Sequence, residues 1–403
     1  MENKSENKKS RYEQVQEITA KLEKGIIELF ESDKYKEYLS VMSRFSNYSF
    51  NNSLLIALQA PDTQAVAGYN SWQRNFNRHV KAGSKAIKII APCPMKKTVE
   101  EVLKDEFGRP VLDGNGNPKT EKVEKKFLGF RAENVFRLED TEGEPLPEIV
   151  QILDKGVDNY KDIMDILCKI SPVPIHIKEF GGQPNGYYSL TEQAIYVKES
   201  LPELQKIKTT IHELAHALLH DKVRGTDLDS TQIEKEVSAE SVAFTVASYL
   251  GLNTQDYSFG YVAGWAGDKE VSTLKEKMEV IRKTANEIIM NIEEELLARE
   301  IEKAEVICYK NATGYLMIQK TDSGYHYELY SPKYENLLKA DIDNAEMGMK
   351  EVIGKIMLEI KSQEDNWHHV NVQAVQEKIA KKATEQKQEV QEEIINRKNT
   401  YRK

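Results

Sequence analysis

The sequence predicts a multidomain α+β protein: a small α+β domain, a mainly helical domain, a small β-hairpin/helix unit and a C-terminal helix. Three observations lead there. The 403 residues allow about two to four domains at roughly 100–200 residues each. Stretches with apolar residues at helical spacing coexist with short alternating runs that end in turn residues. A run from Glu142 to Pro147, rich in Gly and Pro, reads as a domain linker. The expected domains are 8–141, 148–303, 304–365 and a charged tail at 366–403.

Taken in order, residues 8–46 read as helical, since Val15, Ile18, Leu22, Ile26, Leu29 and Phe30 fall near a 3.6-residue period. A second apolar helix through Leu54, Leu55, Ile56 and Leu58 stops at Pro61, and a third near Tyr69 carries Trp72 and Phe76. Ile87 to Ala91 is a β-rich run ending at Pro92. Residues 96–126 are charged and read as an extended loop or protruding hairpin, followed by a strand from Phe127 to Leu138. Past the linker, a helix is expected over 148–169, a strand over Ile175–Lys178 and a hairpin over 186–197. Helices follow near 203–220, 231–250 and 269–303. Tyr315–Lys320 and Tyr325–Tyr330 flank a turn at Asp322 to Gly324, with a helix at 343–362 behind them. Beyond that, Val375, Ile379, Val390 and Ile394 form a thin apolar stripe in a polar segment, which reads as a solvated helix or weak coiled coil.

Composition excludes several classes. No run approaches the roughly 18–20 apolar residues of a spanning helix, and the first ten residues lack the apolar core of a signal peptide. Cys93, Cys168 and Cys308 are too few and too scattered for a disulfide framework or a cysteine zinc site, which fits a reducing cytoplasm. The net charge of −9 argues against nucleic acid until its distribution is read. Residues 38–99 hold eight cations (Arg44, Arg74, Arg78, Lys81, Lys85, Lys88, Lys96, Lys97) and one acid, Asp62, a net +7 that leaves −16 elsewhere. This island interleaves cations with Tyr48, Phe50, Tyr69, Trp72 and Phe76. Cations neutralise phosphates and flat rings stack on unpaired bases, which suits single strands. The competing reading is that Phe50, Trp72 and Phe76 are core and the lysines a solvated face.

The strongest chemical signal is His212-Glu213-Leu-Ala-His216. Histidines four apart lie on one helix face, one turn apart, within reach of one zinc. Glu213 beside them can take a proton from water and act as general base, then acid. The apolar flank buries this helix, so its polar side chains need partners. Downstream, Glu236 and Glu240 share a helix face. Glu236 is read as the third ligand, and Glu240 as the acceptor of a ring N–H from a ligand histidine. Glu234 fits a helix first turn, and His220 a helix end. Two histidines and one glutamate leave one coordination position open, the catalytic arrangement, so the reaction class is metal-assisted hydrolysis with zinc; manganese suits the same ligands. Tyr257 and Tyr261 are oxyanion candidates by residue type only.

The stretch Ile211 to Ala247 resembles the zinc-peptidase domain of the ImmA/IrrE group, which pairs His-Glu-x-x-His with a later Glu. Tyr48 to Ile56, Val66 to Trp72 and Arg78 to Pro92 are similar to the N-terminal domain of ArdC-like antirestriction proteins. The order of the two domains is that of the ArdC family, and Val262 to Asp268 with its long helix resembles the family's C-terminal part. The resemblance implies single-stranded DNA binding, with Tyr48, Phe50, Asn51, Trp72, Arg74, Arg78, Lys81, Lys85 and Lys88 as the surface, and a cytoplasmic mobile-element protein that protects entering DNA. Two departures stand out: Asn77 replaces a usual glycine, and Lys81 to Ala86 replaces a glycine-richer turn. The other readings are a regulatory metalloprotease that cleaves a repressor, and a non-catalytic DNA binder braced by a structural metal.

Overall fold

The computed structural model describes residues 11–30, 32–104, 107–144, 146, 160–182, 184–220, 230–257, 259–260, 262–267, 269–311, 313–359, 367–370, 372–373, 375–382 and 384. Mixed helix and strand content makes the protein α+β, as the apolar patterning predicts. Compactness divides it into two units, Met1–Glu144 with Ile211–Asn286, and Pro145–Thr210 with Glu287–Lys403. Packing thus groups residues differently from the chain-order boundaries read from the sequence.

The first unit opens with two helices, α1 (Arg11–Leu29) and α2 (Ser32–Arg44), where one long helix was expected. Leu29 and Phe30 turn into the core, and the chain restarts at Ser32 with Asp33 in its first turn, both favoured at helix starts. Helix α3 (Phe50–Ala57) is capped by the Ser49 side chain. Strand β1 (Val66–Gly68) leads into helix α4 (Tyr69–Phe76), which ends on Asn77 in the left-handed region at φ 55°. Asparagine tolerates that conformation, so the turn closes without the family's glycine.

Strand β2 (Arg78–Val80) pairs with β5 (Thr141–Gly143), which absorbs the first residues of the expected linker. Strands β3 (Ile87–Val102) and β4 (Thr120–Arg137) form a long antiparallel hairpin, and β1 pairs with the far end of β4. The expected stop at Pro92 is overturned. An antiparallel strand points alternate N–H groups away from its partner, and Pro92 and Pro94 both occupy that outward set, so the missing donors cost no ladder bond. The base of the hairpin is covered by Val41, Phe45, Ile56 and Ala60, which pack on Val66, Ile87, Ile89 and Val135.

In the second unit, helix α5 (Tyr160–Ile170) falls within the region where a helix was expected at 148–169; residues 148–159 lie outside the described residues. Strands β6 (Ile175–Ile177), β7 (Gly186–Ser189) and β8 (Ala194–Val197) form a sheet ordered β6-β8-β7. Helix α6 (Glu203–Leu219) begins in this unit, helices α7 (Gln232–Tyr249) and α8 (Val262–Ala266) belong to the first, and helix α9 (Val271–Lys303) ends in the second. The division between units falls within α6 and α9.

The unit near residue 304 is larger than the expected hairpin. Strands β9 (Val306–Asn311), β10 (Gly314–Thr321), β11 (Gly324–Tyr330), β12 (Asn336–Ile342) and β13 (His368–His369) make one sheet ordered β12-β11-β10-β9-β13. Helix α10 (Met349–Glu359) covers one face through Met349, Val352 and Ile356. On the other face Val375 is buried against Cys308, Tyr315 and Tyr330, with Ile379 beside it. The start of the tail is therefore a core element, not the solvated helix expected; Val390 and Ile394 lie outside the described residues.

Candidate metal centre

Helix α6 is buried through Ile211, Leu214, Ala215, Ala217 and Leu219. His212 and His216, one turn apart on the helix, are less buried than these neighbours. Helix α7 starts from a capping box: Thr231 N–H donates to Glu234 Oε2 at 2.8 Å, and Glu234 N–H donates back to Thr231 Oγ1 at 3.3 Å. Glu234 is thus a cap. Glu236 and Glu240, on the next turns, face the histidines.

The nitrogens His212 Nε2 and His216 Nε2 are 3.1 Å apart, and each is 3.6 Å from Glu236 Oε2. His212 Nδ1 lies 3.1 Å from Glu240 Oε2. Gln232 Nε2 donates to the other oxygen, Glu236 Oε1, at 2.7 Å. Sequence reasoning missed this clamp, because a glutamine in a first helical turn carries no distinguishing signal. Glu213 is buried next to His212. His220 sits at the helix end with Nε2 3.3 Å from the Lys235 carbonyl oxygen. Tyr257 packs edge-on against Phe244, and burial pushes its phenol well up. Tyr261 lies outside the described residues.

The donor set can be tested for fit to a cation. A point equidistant from the three inward atoms is about 2.0 Å from each, against zinc bonds of about 2.0–2.2 Å to imidazole and carboxylate. Electrostatics agree. Burial opposes charge on His212, but hydrogen bonds to Glu236 and Glu240 and the charge of Glu213 outweigh it and lift the imidazole to about 10. Hydrogen bonds from His212 and His216 hold Glu236 well below the carboxylate range despite its partial burial. The carboxylates that favour positive charge on His212 favour a metal cation at the same place.

The basic island resolves differently. Phe50 and Trp72 are in the core: Phe50 meets Tyr38 edge-on, and Trp72 Nε1 donates to the Phe136 carbonyl at 2.9 Å. Neither offers a face to a base, which corrects their assignment as stacking residues. Tyr48 is half-buried and donates to the Val66 carbonyl. Asn51 Oδ1 is buried. Arg78 is committed to Thr141, Gly143 and Glu144, where it staples β2 to β5. Lys81 reaches the Glu139 carbonyl. Arg74, Lys85 and Lys88 are exposed, and their side chains have no ion pair among the described residues.

Comparison with known proteins follows the same division. Residues 8–136 match the N-terminal domain of anti-restriction factor ArdC, residues 168–289 the IrrE N-terminal-like domain of the M78 peptidase family, and residues 301–385 the large polyvalent protein-associated domain 16. The uncharacterized protein pXO2-81 of Bacillus anthracis is 27% identical over 323 residues, 72% of this chain and 54% of the relative. The chain thus spans about half the length of that relative. Crystal structures of the antirestriction ArdC protein from the R388 plasmid, metal-free and Mn(II)-bound, are 17% identical. They cover 61% of this chain and 85% and 87% of theirs, with TM-scores of 0.36 and 0.34. The chain thus joins a stretch similar to the ArdC N-terminal domain to a stretch similar to the IrrE-like domain of the M78 peptidase family.

Proposed function

We propose that this protein is an antirestriction factor of a mobile element, acting in the cytoplasm, that binds single-stranded DNA and carries a metal-dependent peptidase centre. The domain pairing supports the antirestriction reading. One observation carries the peptidase reading: three ligand atoms converge on one point, and a buried carboxylate, Glu213, follows the first ligand in the helix. His212, His216 and Glu236 would hold the ion, which when bound polarises a carbonyl and acidifies water. Glu213 accepts the proton of the attacking water and returns it to the leaving amine. Glu240 fixes the His212 ring so that Nε2 faces inward, and Gln232 fixes the Glu236 carboxylate. We assign the peptidase role to 148–303 and the DNA role to 8–141.

Glu213→Gln tests the reading. It keeps shape and removes the base, so hydrolysis of fluorescent casein should fall at least a hundredfold while metal content and binding of a single-stranded oligonucleotide hold. Unchanged hydrolysis would remove Glu213 from the chemistry. A metal load that survives His212→Ala with His216→Ala would remove the site. Antirestriction that persists in Glu213→Gln would leave the metal a bracing role.

A further inference from the structure

The hairpin of β3 and β4 extends far beyond the core that supports it. Its strands have 16 and 18 residues, about 50 Å of ribbon at roughly 3.3 Å per residue. Only the end near Ile87, Ile89 and Val135 is buried. A two-stranded ribbon in water is marginal by itself. Yet this one displays large apolar side chains midway: Phe127 is 44% exposed, Phe130 59% and Leu128 66%. Cross-strand partners share a face, so Phe127 with Met95 lies on one face, and Phe130 with Pro92 on the other.

Directly beyond these rings the register sets like charges opposite each other. Lys96 faces Lys126, and Lys97 faces Lys125, pairings that destabilise a ribbon. Lys96 is neutralised by Glu124 and Lys125 by Glu101. Lys97 and Lys126 have no ion pair among the described residues. A strained lysine girdle beside exposed rings fits a polyanion whose flat groups can stack.

The free edge narrows the choice of partner. Pro92 and Pro94 remove two of the outward N–H donors of β3, beside the exposed rings, which blunts that stretch of the edge against strand addition by a second copy or an extended peptide. Along that stretch of β3, recognition runs through side chains. We infer that this ribbon is the strand-binding arm of the protein: Phe127 and Phe130 take unpaired bases, and Lys97 and Lys126 take the flanking phosphates. This rests on the single-stranded DNA reading above but moves its surface from the 48–88 island to residues 92–131.

The test uses the full chain and a fluorescent single-stranded oligonucleotide, with affinity followed against salt. Phe127→Ala with Phe130→Ala should weaken binding about tenfold per ring and leave the salt slope unchanged. Lys97→Gln with Lys126→Gln should flatten the log–log salt slope by about 1.4, the share of two single-strand phosphates. Phe127→Trp, which keeps the surface intact, should bind normally and show indole quenching on titration. The inference is overturned if these variants bind like the parent while Lys85→Gln with Lys88→Gln loses binding; the DNA reading then survives with its surface at the island. Parent protein that binds no single strand sinks the DNA reading itself. A dimer that Phe127→Ala dissociates would make the ribbon a self-association surface and also overturn the inference.

Discussion

His212 uses both nitrogens of one ring: Nδ1 is held by Glu240 and Nε2 is aimed at Glu236 and His216. The first bond fixes the tautomer and orientation of the second. Removing that partner should therefore harm metal binding more than folding. Glu240→Gln is expected to weaken metal affinity by about 10- to 100-fold, read by competition with a chromophoric chelator, with the far-UV spectrum unchanged. An unaltered affinity would show that ring orientation is set elsewhere. At this scale the metal side of the sequence was legible, because i,i+4 spacing in helices dictates which side chains converge. The base-binding side was not. Phe50 and Trp72 look the same in sequence whether a ring is exposed or buried, and only packing against Tyr38 and Phe76 decides it.

Helices announced themselves by period, and the strands that were missed share a physical reason. The Asn336–Ile342 strand is an edge with five exposed positions and a single buried one, so it shows no alternation. The Ile87–Val102 strand runs through two prolines that a central strand would forbid, and its outer half has no core to pattern it. Helix Tyr69–Phe76 turned out to be short and anchored almost wholly by Trp72. Trp72→Ala should cost about 3–5 kcal/mol, measured by urea unfolding. Affinity for a single strand should fall only in proportion to the folded fraction. A specific loss of affinity in a fully folded variant would return Trp72 to the binding surface.

At the scale of the whole molecule, the helix bearing Glu236 and Glu240 belongs to the same compact unit as the N-terminal helices. Tyr35 and Ser241 share a buried hydrogen bond of 2.8 Å, and Phe30 meets Trp265 edge-on at 5.4 Å. Metal bound to the native state alone stabilises everything that unfolds with it, by about 2.7 kcal/mol at a hundredfold excess over Kd. Hydrogen exchange should therefore slow on metal loading not only in residues 203–249 but also across 32–57. Protection confined to the two ligand helices would show that the N-terminal helices open independently.

The first amide of the Phe50–Ala57 helix is satisfied by Glu279, 229 residues later, and Arg282 beside it grips both that carboxylate and the Ser46 carbonyl. A crossover between related genes at the 142–147 seam would part these partners and leave a buried arginine facing a stranger's backbone. The seam looks like a natural place to swap modules, but inheritance across it is tied. Chimeras should be viable only when residues near 46–50 and 279–282 descend from the same parent.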